Sequence, residues 1–184
     1  MTLIYETKRL LLMTPDKAHL DPLMDYHLRN KDFLEIWEPK RPDDFYTRRY
    51  QREWIRAEQR ELKKLTGVSF LLAKHDSPER LIGAIRLSNV LYGNFCSAFM
   101  GYRLDKDEVN KGYMTEAVKK VISIAFEDLY LHRLEASVIP SNAASQKVLL
   151  NSGFRLIGTS DSYLQINGQW REHQLYEIIK PQKG

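Results

Sequence analysis

An α+β domain built on a mixed, mostly antiparallel sheet is the fold that this sequence predicts, and three observations predict it. Strand-like runs sit in pairs around turn residues, "VSFLLAK" and "LIGAIRLS" around "HDSPER", and two more around Asn167-Gly168. Helical apolar spacing recurs between the strand-like runs, at Thr47–Leu65 and again from Gly112. No repeat, low-complexity stretch or linker divides the 184 residues, 43% of them apolar, so residues 1–184 read as a single domain that can bury one sizeable core.

Each element follows from local chemistry. "LIYETKRLLL" reads as a first strand, and helical material broken by Pro22 then continues to "LRNKDFLEIWEP". Proline-rich "WEPKRPDDF" marks a loop. Between Thr47 and Leu65, Tyr50, Trp54, Ala57, Leu62 and Leu65 form the apolar side of an amphipathic helix whose other face is basic. The hairpin and a third strand, "SAFMGYRL", follow. From Gly112 to Leu129 a stripe of Met114, Ala117, Val118, Val121, Ile122, Ala125 and Leu129 faces a sheet. "RLEASVI" alternates as a strand, "PSNAASQKVLLNSGF" is a short helix closed by Gly153, and "FRLIGTSDSYL" with "QWREHQLYEII" makes the last hairpin. The order along the chain is β-α-α-β-β-β-α-β-α-β-β.

Composition excludes several classes. No apolar run approaches 18 residues, and the opening "MTLIYETKRLLLMT" lacks the charge order of a signal peptide, so a soluble, cytoplasmic protein without a membrane partner is expected. Cys96 is the one cysteine; it cannot form an internal disulfide, and no Cys/His ligand spacing points to a metal. A net charge of +4 is too small to imply nucleic acid by itself.

Two readings fit "VNKGYMTEA". Gly112 is either an ordinary turn residue before a core helix, or it opens the backbone to an anion at the helix N-terminus, with Asn110 and Lys111 beside it. The phosphate patterns GxxxxGK[ST] and GxGxxG are both absent, so context decides.

That context is a resemblance. "VNKGYMTEA" after a strand resembles the acetyl-CoA pyrophosphate loop of the GCN5-related N-acetyltransferases (GNAT), and "PSNAASQKVLLNSGF" resembles the Asn-containing helix that follows it in that superfamily. "NKDFLEIWEP", "LIGAIRLSNV", "NKGYMTEA" and "INGQWREHQLYEI" look like the RimJ/RimL type of ribosomal-protein-alanine N-acetyltransferase, in the same order over nearly the whole chain. The resemblance implies a GNAT-like α/β/α fold, acetyl-CoA as cosubstrate and no metal. It places the pyrophosphate on the amides of Val109, Asn110, Lys111, Gly112, Tyr113 and Met114, with Thr115. Val109 departs from the family's Gln/Arg and Met114 from its Gly/Ala, but backbone donors survive both changes. Tyr102 and Leu104 would pair with the pantetheine amides, and Asn142 would touch the pantetheine arm.

Acyl transfer needs a neutral amine, a donor for the oxyanion and a hydrogen bond or proton for the leaving thiolate. The tyrosine that some relatives use for the thiolate is replaced by Leu149, and the resemblance points instead to Ser145; a plain helix-start serine is the other reading. For the base it offers Asp161, ahead of the last hairpin, and Glu38, in the loop over the amine pocket. Phe33, Trp37 and Tyr46 are candidate pocket walls, or simple packing. Cys96 has no basic partner beside it to make it a nucleophile, and His173 reads as structural. A free α-amine, with pKa about 7.7–8.0, is on the order of a tenth neutral at pH 7 and needs less help than a lysine near 10.4.

The acceptor implied is thus a protein N-terminus. A small amine or amino-sugar, or a non-catalytic acyl-CoA-binding module, are the alternatives. Seven Lys/Arg against three Asp/Glu between residues 47 and 65 make either a solvated helix face or a docking surface for the ribosome or another acidic partner. A homodimer stays open.

Overall fold

The computed structural model describes residues 2–181. Eight strands form one sheet: β1 (Ile4–Glu6), β2 (Leu10–Met13), β3 (Val68–Lys74), β4 (Ser77–Leu91), β5 (Ser97–Leu104), β6 (Arg133–Val138), β7 (Arg155–Ile166) and β8 (Gln169–Ile179). Their spatial order is β1-β2-β3-β4-β5-β6-β8-β7, antiparallel throughout except that β5 and β6 are parallel. The helices are α1 (Leu20–Arg29), α2 (Lys31–Glu35), α3 (Arg48–Lys64), α4 (Tyr113–Glu127) and α5 (Ala143–Asn151). The mixed α+β arrangement expected from the sequence is therefore present.

Alternation along the strands builds two cores, one on each face. Leu72, Ile85 and Leu87 bury against Val118, Val121 and Ala125 of α4 and Leu149 of α5. Their strand neighbours Leu71 and Ala84 point the other way, against Leu23 and Tyr26 of α1 and Ile55 of α3. The sheet is covered on both sides.

Several expectations are corrected. The run Leu3–Leu12 is two strands, because the Thr7 side chain accepts from the Leu10 amide (3.0 Å) and the Thr7 amide donates to the Leu10 carbonyl (2.9 Å), turning the chain at charged Lys8 and Arg9. Pro22 does not break the helix: it lies in the first turn of α1, where no intrahelical N–H is lost. The break falls at Asn30, whose buried side chain donates to the Tyr26 carbonyl (2.9 Å) and accepts from the Lys106 amide (2.9 Å). On α3 the buried line is Gln51, Ile55 and Glu58 rather than the line through Tyr50 and Leu65; Leu65 is an exposed left-handed C-cap. Gln51 is affordable inside because it donates to the Phe45 carbonyl (2.7 Å), and Glu58 because it pairs with Arg86. The turn within "HDSPER" shrinks to His75-Asp76, and β4 starts at Ser77.

The end of β5 is pinned from the α1 side. Asp105, fully buried, accepts from Arg29 Nε (2.7 Å) and the Asp107 amide (3.0 Å), while its own N–H reaches the Ile82 carbonyl (2.7 Å). Burial alone pushes this carboxyl upward, but the hydrogen bonds and the Arg29 guanidinium outweigh it and hold it below the ordinary aspartate value. The stabilisation is thus complete above the unfolded pKa of about 3.9 and is lost as pH falls through the depressed folded value. Asp105→Asn should cost ~3 kcal/mol at pH 7 by taking the buried carboxylate from Arg29 Nε, although Arg29 keeps Asp25 and the Leu81 carbonyl, and the difference from wild type should shrink in urea titrations run toward pH 3. An equal cost at both pH values would contradict the ion-pair account.

Candidate active site

The loop before α4 is shaped for an anion. Asn110 (φ 61°) and Gly112 (φ 79°, ψ 2°) are both left-handed, and no side chain caps α4. The first helical bond runs from the Glu116 amide to the Gly112 carbonyl (3.1 Å), so the amides of Tyr113, Met114 and Thr115 have no acceptor within the helix. Those three N–H groups, at the positive end of the helix dipole, suit a phosphate. Asn110, Lys111 and Gly112 are exposed, whereas the Met114 side chain is core, so only its amide can serve. Val109 is half-buried, in extended backbone. Lys111 does not reach outward: its Nζ donates to the Asp107 carbonyl (2.6 Å) and to Glu108 (2.9 Å).

Arg9, which the sequence reading missed, braces this loop. Its Nη1 donates to the Lys111 carbonyl (3.0 Å), its Nε pairs with Glu116 (2.7 Å), and its guanidinium lies 4.4 Å from the Tyr113 ring centre. Thr7 Oγ1 donates to the same Glu116 carboxylate (2.6 Å). Burial by itself raises Glu116, and these bonds more than reverse it, so its pKa lies below the ordinary glutamate value.

Beside the loop the sheet parts. β5 pairs with β6 only through Ser97–Phe99, opposite Arg133–Glu135, while β4 stays paired with β5 out to Leu104 and β8 stays paired with β6 out to Val138. The Asp105 amide and the Arg103 carbonyl point toward β4, the latter so close that a Cβ on Gly83 would lie 2.6 Å from it; the Cys96 carbonyl accepts from Arg133 on the β6 side (3.1 Å). Backbone direction alternates along a strand, so Met100, Tyr102 and Leu104 turn their N–H and C=O groups into the gap. An extended amide-bearing chain can pair there as an added strand.

Three of the expected residues meet across this gap. Asn142 N-caps α5, its Oδ1 accepting from the Ser145 amide (3.1 Å), and Tyr102 Oη lies 2.8 Å from Ser145 Oγ and 2.9 Å from the Ser145 carbonyl oxygen. Burial raises the Tyr102 phenol above its ordinary value, so it stays protonated. The Asn142 Oδ1 thus serves its own helix, its Nδ2 group is a further donor, and Leu149, fully buried, brings no hydroxyl.

The other candidates are not gathered at one point: Glu38 and Tyr46 lie toward the α1 side, and Asp161 lies in the irregular part of β7. Glu38 pairs with Arg41 and, at 3.6 Å, with Arg103 of β5, so neither carboxylate oxygen is free of a guanidinium. Its carbonyl accepts from the Asn167 amide (3.0 Å), tying the Glu38 loop to the tip of the last hairpin. Asp161 is exposed in β7 where the pairing slips between Ser160 and Leu164, and among the described residues it makes no hydrogen bond or ion pair to another candidate. Phe33 is exposed, and Trp37 and Tyr46 are half-buried, while Phe45 packs against His27 and Tyr50. Burial, with Arg103 and Arg41 nearby, pushes His27 down to about 2, so it is a neutral packing group. Arg103 Nε and the Tyr26 hydroxyl are buried without partners here, two polar groups that no local sequence signal marks.

A sheet opened between parallel neighbours, next to an uncapped helix behind a left-handed glycine, defines a class of acyl-CoA-binding acyltransferase folds. The acetyltransferase (GNAT) domain family matches residues 9–155, and the chain belongs to it. It is 41% identical over 152 residues to the probable N-acetyltransferase YjcK of Bacillus subtilis (strain 168), covering 83% of each chain. It is 32% identical over 165 residues to the [ribosomal protein uS5]-alanine N-acetyltransferase of Escherichia coli (strain K12), covering 86% of this chain and 81% of that one. The crystal structure of ribosomal-protein-S5-alanine acetyltransferase from Vibrio fischeri superposes with a TM-score of 0.91 at 30% identity, over 97% of this chain and 100% of that one. Mycobacterium smegmatis RimJ in complex with CoA-disulfide gives 0.89 at 25%, over 96% and 86%. The chain is a RimJ/RimL-like N-acetyltransferase with acetyl-CoA as its acyl donor, and among the described residues no cluster of metal-ligating side chains occurs.

Gly112 provides a direct check on the loop. A side chain at φ 79° is strained by roughly 1–2 kcal/mol, and its Cβ would sit in ordinary contact, 3.5 Å, with the Arg9 guanidinium that braces the loop. Gly112→Val should weaken acetyl-CoA binding at least tenfold in calorimetry, and an unchanged affinity would remove the pyrophosphate from this loop.

Proposed function

We propose that residues 1–184 form one cytoplasmic acetyltransferase domain that moves the acetyl group of acetyl-CoA to a protein N-terminal α-amine of the ribosomal-protein-alanine type. The observation that carries the reading is the gap between β5 and β6, which leads from the free amides of α4 to the Ser145 hydroxyl. The names of the relatives at 32% and 30% identity support the acceptor class.

The donor supplies an activated thioester. The amides of residues 109–115 hold its phosphates, and the gap-facing groups of Tyr102 and Leu104 align its pantetheine arm. Asn142 acts through α5, by fixing its first turn. A backbone N–H of β5 receives the oxyanion, and Ser145 gives a hydrogen bond to the departing sulfur. Proton removal is the light part of the task, since an α-amine is already partly neutral at pH 7. Asp161, exposed and held by no guanidinium among the described residues, is the freer carboxylate for it; Glu38 shapes the entrance through its arginines, with Phe33, Trp37 and Tyr46 near that loop.

The exposed arginines of α3 support docking on an acidic surface such as ribosomal RNA, because Arg52, Arg56 and Arg60 all lie outside its buried line. Binding of that kind falls steeply with salt.

Acetyl-CoA-dependent thiol release with Ala- and Ser-starting peptides, an N-terminally blocked lysine peptide, and small polyamines or amino-sugars tests the reading. A rate on the free peptide α-amine at least tenfold above the blocked lysine peptide is expected, with the acetyl group placed by mass. Activity confined to a small amine would replace the acceptor class, and tight acetyl-CoA binding without any turnover would favour a binding module.

A further inference from the structure

The hydroxyl pair at the gap can be counted proton by proton. Tyr102 Oη faces two oxygens of one residue, the Ser145 carbonyl at 2.9 Å and Ser145 Oγ at 2.8 Å. A carbonyl only accepts, and a phenol has one proton. The arrangement that gives each contact a full hydrogen bond therefore has Tyr102 donating to the carbonyl and Ser145 donating to Tyr102. In the resting protein the Ser145 proton is directed at Oη, not into the gap.

The surroundings leave few other choices. The Ser145 amide is held by Asn142 Oδ1 (3.1 Å), so the backbone at Ser145 is fixed and its hydroxyl torsion is the free coordinate. Tyr102 is largely buried and belongs to the strand whose backbone groups at this position face the gap. Its ring reaches from the β5 side to the first turn of α5, where the Leu149 side chain provides no alternative donor.

We propose that Tyr102 is a positioning residue for Ser145: its buried hydroxyl parks the serine O–H beside the gap and releases it toward the sulfur as the thioester bond breaks. This rests on the reading of Ser145 as the donor to the leaving group. In the step itself the C–N bond forms and the C–S bond breaks. The surplus proton of the attacking amine passes to water or a carboxylate. The sulfur leaves as a thiolate that accepts a hydrogen bond from Ser145, and it takes a proton from solvent on release. Ser145 and Tyr102 each keep their own proton, so no serine alkoxide or phenolate is formed. Once the serine proton turns to the sulfur, Tyr102 can turn its own proton to Ser145 Oγ at 2.8 Å, a hydrogen bond that strengthens as charge develops on the sulfur, and the rate gain arises there.

Tyr102→Phe keeps the ring and the β5 backbone and removes only the oxygen. Single-turnover acetyl transfer to an Ala-starting peptide, measured in wild type, Tyr102→Phe, Ser145→Ala and the double variant, reads the coupling; acceptor-free hydrolysis of acetyl-CoA gives the same four-way comparison if the peptide is not acetylated. Tyr102→Phe should slow the step about tenfold, Ser145→Ala at least as much, and the double variant should be no slower than Ser145→Ala alone. Calorimetric affinity for acetyl-CoA should stay within twofold in all four. A tyrosine that only braces the fold would instead lower affinity together with rate, or slow the double variant multiplicatively, and either result overturns the proposal. So does a wild-type rate in Tyr102→Phe. If Ser145→Ala alone keeps the wild-type rate, the assignment of Ser145 fails first and takes this inference with it; if Ser145→Ala is slow and Tyr102→Phe is not, only the inference falls.

Discussion

Backbone hydrogen-bond satisfaction along β5 is the constraint on which the rest of the structure depends. From Met100 to Leu104 the strand is paired on the β4 side only, and β6 beyond Glu135 is paired on the β8 side only. Each strand is held by its outer neighbour: β5 through Gly83, which lets the Arg103 carbonyl approach, and through Asp105 with Arg29; β6 through the long register with β8. The unpaired inner edges would be costly in a dry interior. They are acceptable here because a ligand with amides can take the place of a ninth strand. The donor-binding chemistry is thus a property of the sheet before it is a property of any side chain.

The two covered faces divide the labour. α4 and α5 pack on one face and bring the anion-binding amides and the Ser145 hydroxyl to the gap; α1 and α3 pack on the other, where Arg103, Glu38 and Tyr26 lie. Alternation along β5 connects them, since Tyr102 projects toward the α5 side and Arg103, one residue on, toward the α1 side. One strand therefore sends side chains to both covered faces while its inner edge borders the gap.

What was legible in the sequence was whatever local chemistry decides. Asn167 and Gly168 both adopt positive φ in the final hairpin, as that dipeptide suggests, and the apolar stripe of α4 is buried as its spacing implies. Gly112 was readable as the start of α4, and it is the left-handed N-cap there. The missed features are pairings at long range or burials of polar groups. Arg9 meets Glu116 107 residues away, and nothing in "ETKRLL" distinguishes it from a solvated charge. The turn at Thr7 has neither Gly nor Pro, so the alternation ran through it unbroken. On α3, Gln51 and Glu58 are inside because of partners on other segments, which displaced the buried line from the apolar residues. The resemblance pointed to the loop before α4, the Asn142 helix and Ser145, whereas the tyrosine hydroxyl opposite Ser145 required three dimensions.

The bond between the Glu38 carbonyl and the Asn167 amide joins two segments that the chain separates widely. It ties the Glu38 loop to the tip of the last hairpin. A single backbone hydrogen bond is worth about 1 kcal/mol, so parting the loop from the hairpin tip at this bond leaves about a sixth of molecules in the parted form. The Glu38–Arg103 pair at 3.6 Å holds the loop to β5 instead. The two segments therefore part and close at ordinary thermal cost, with no large domain movement.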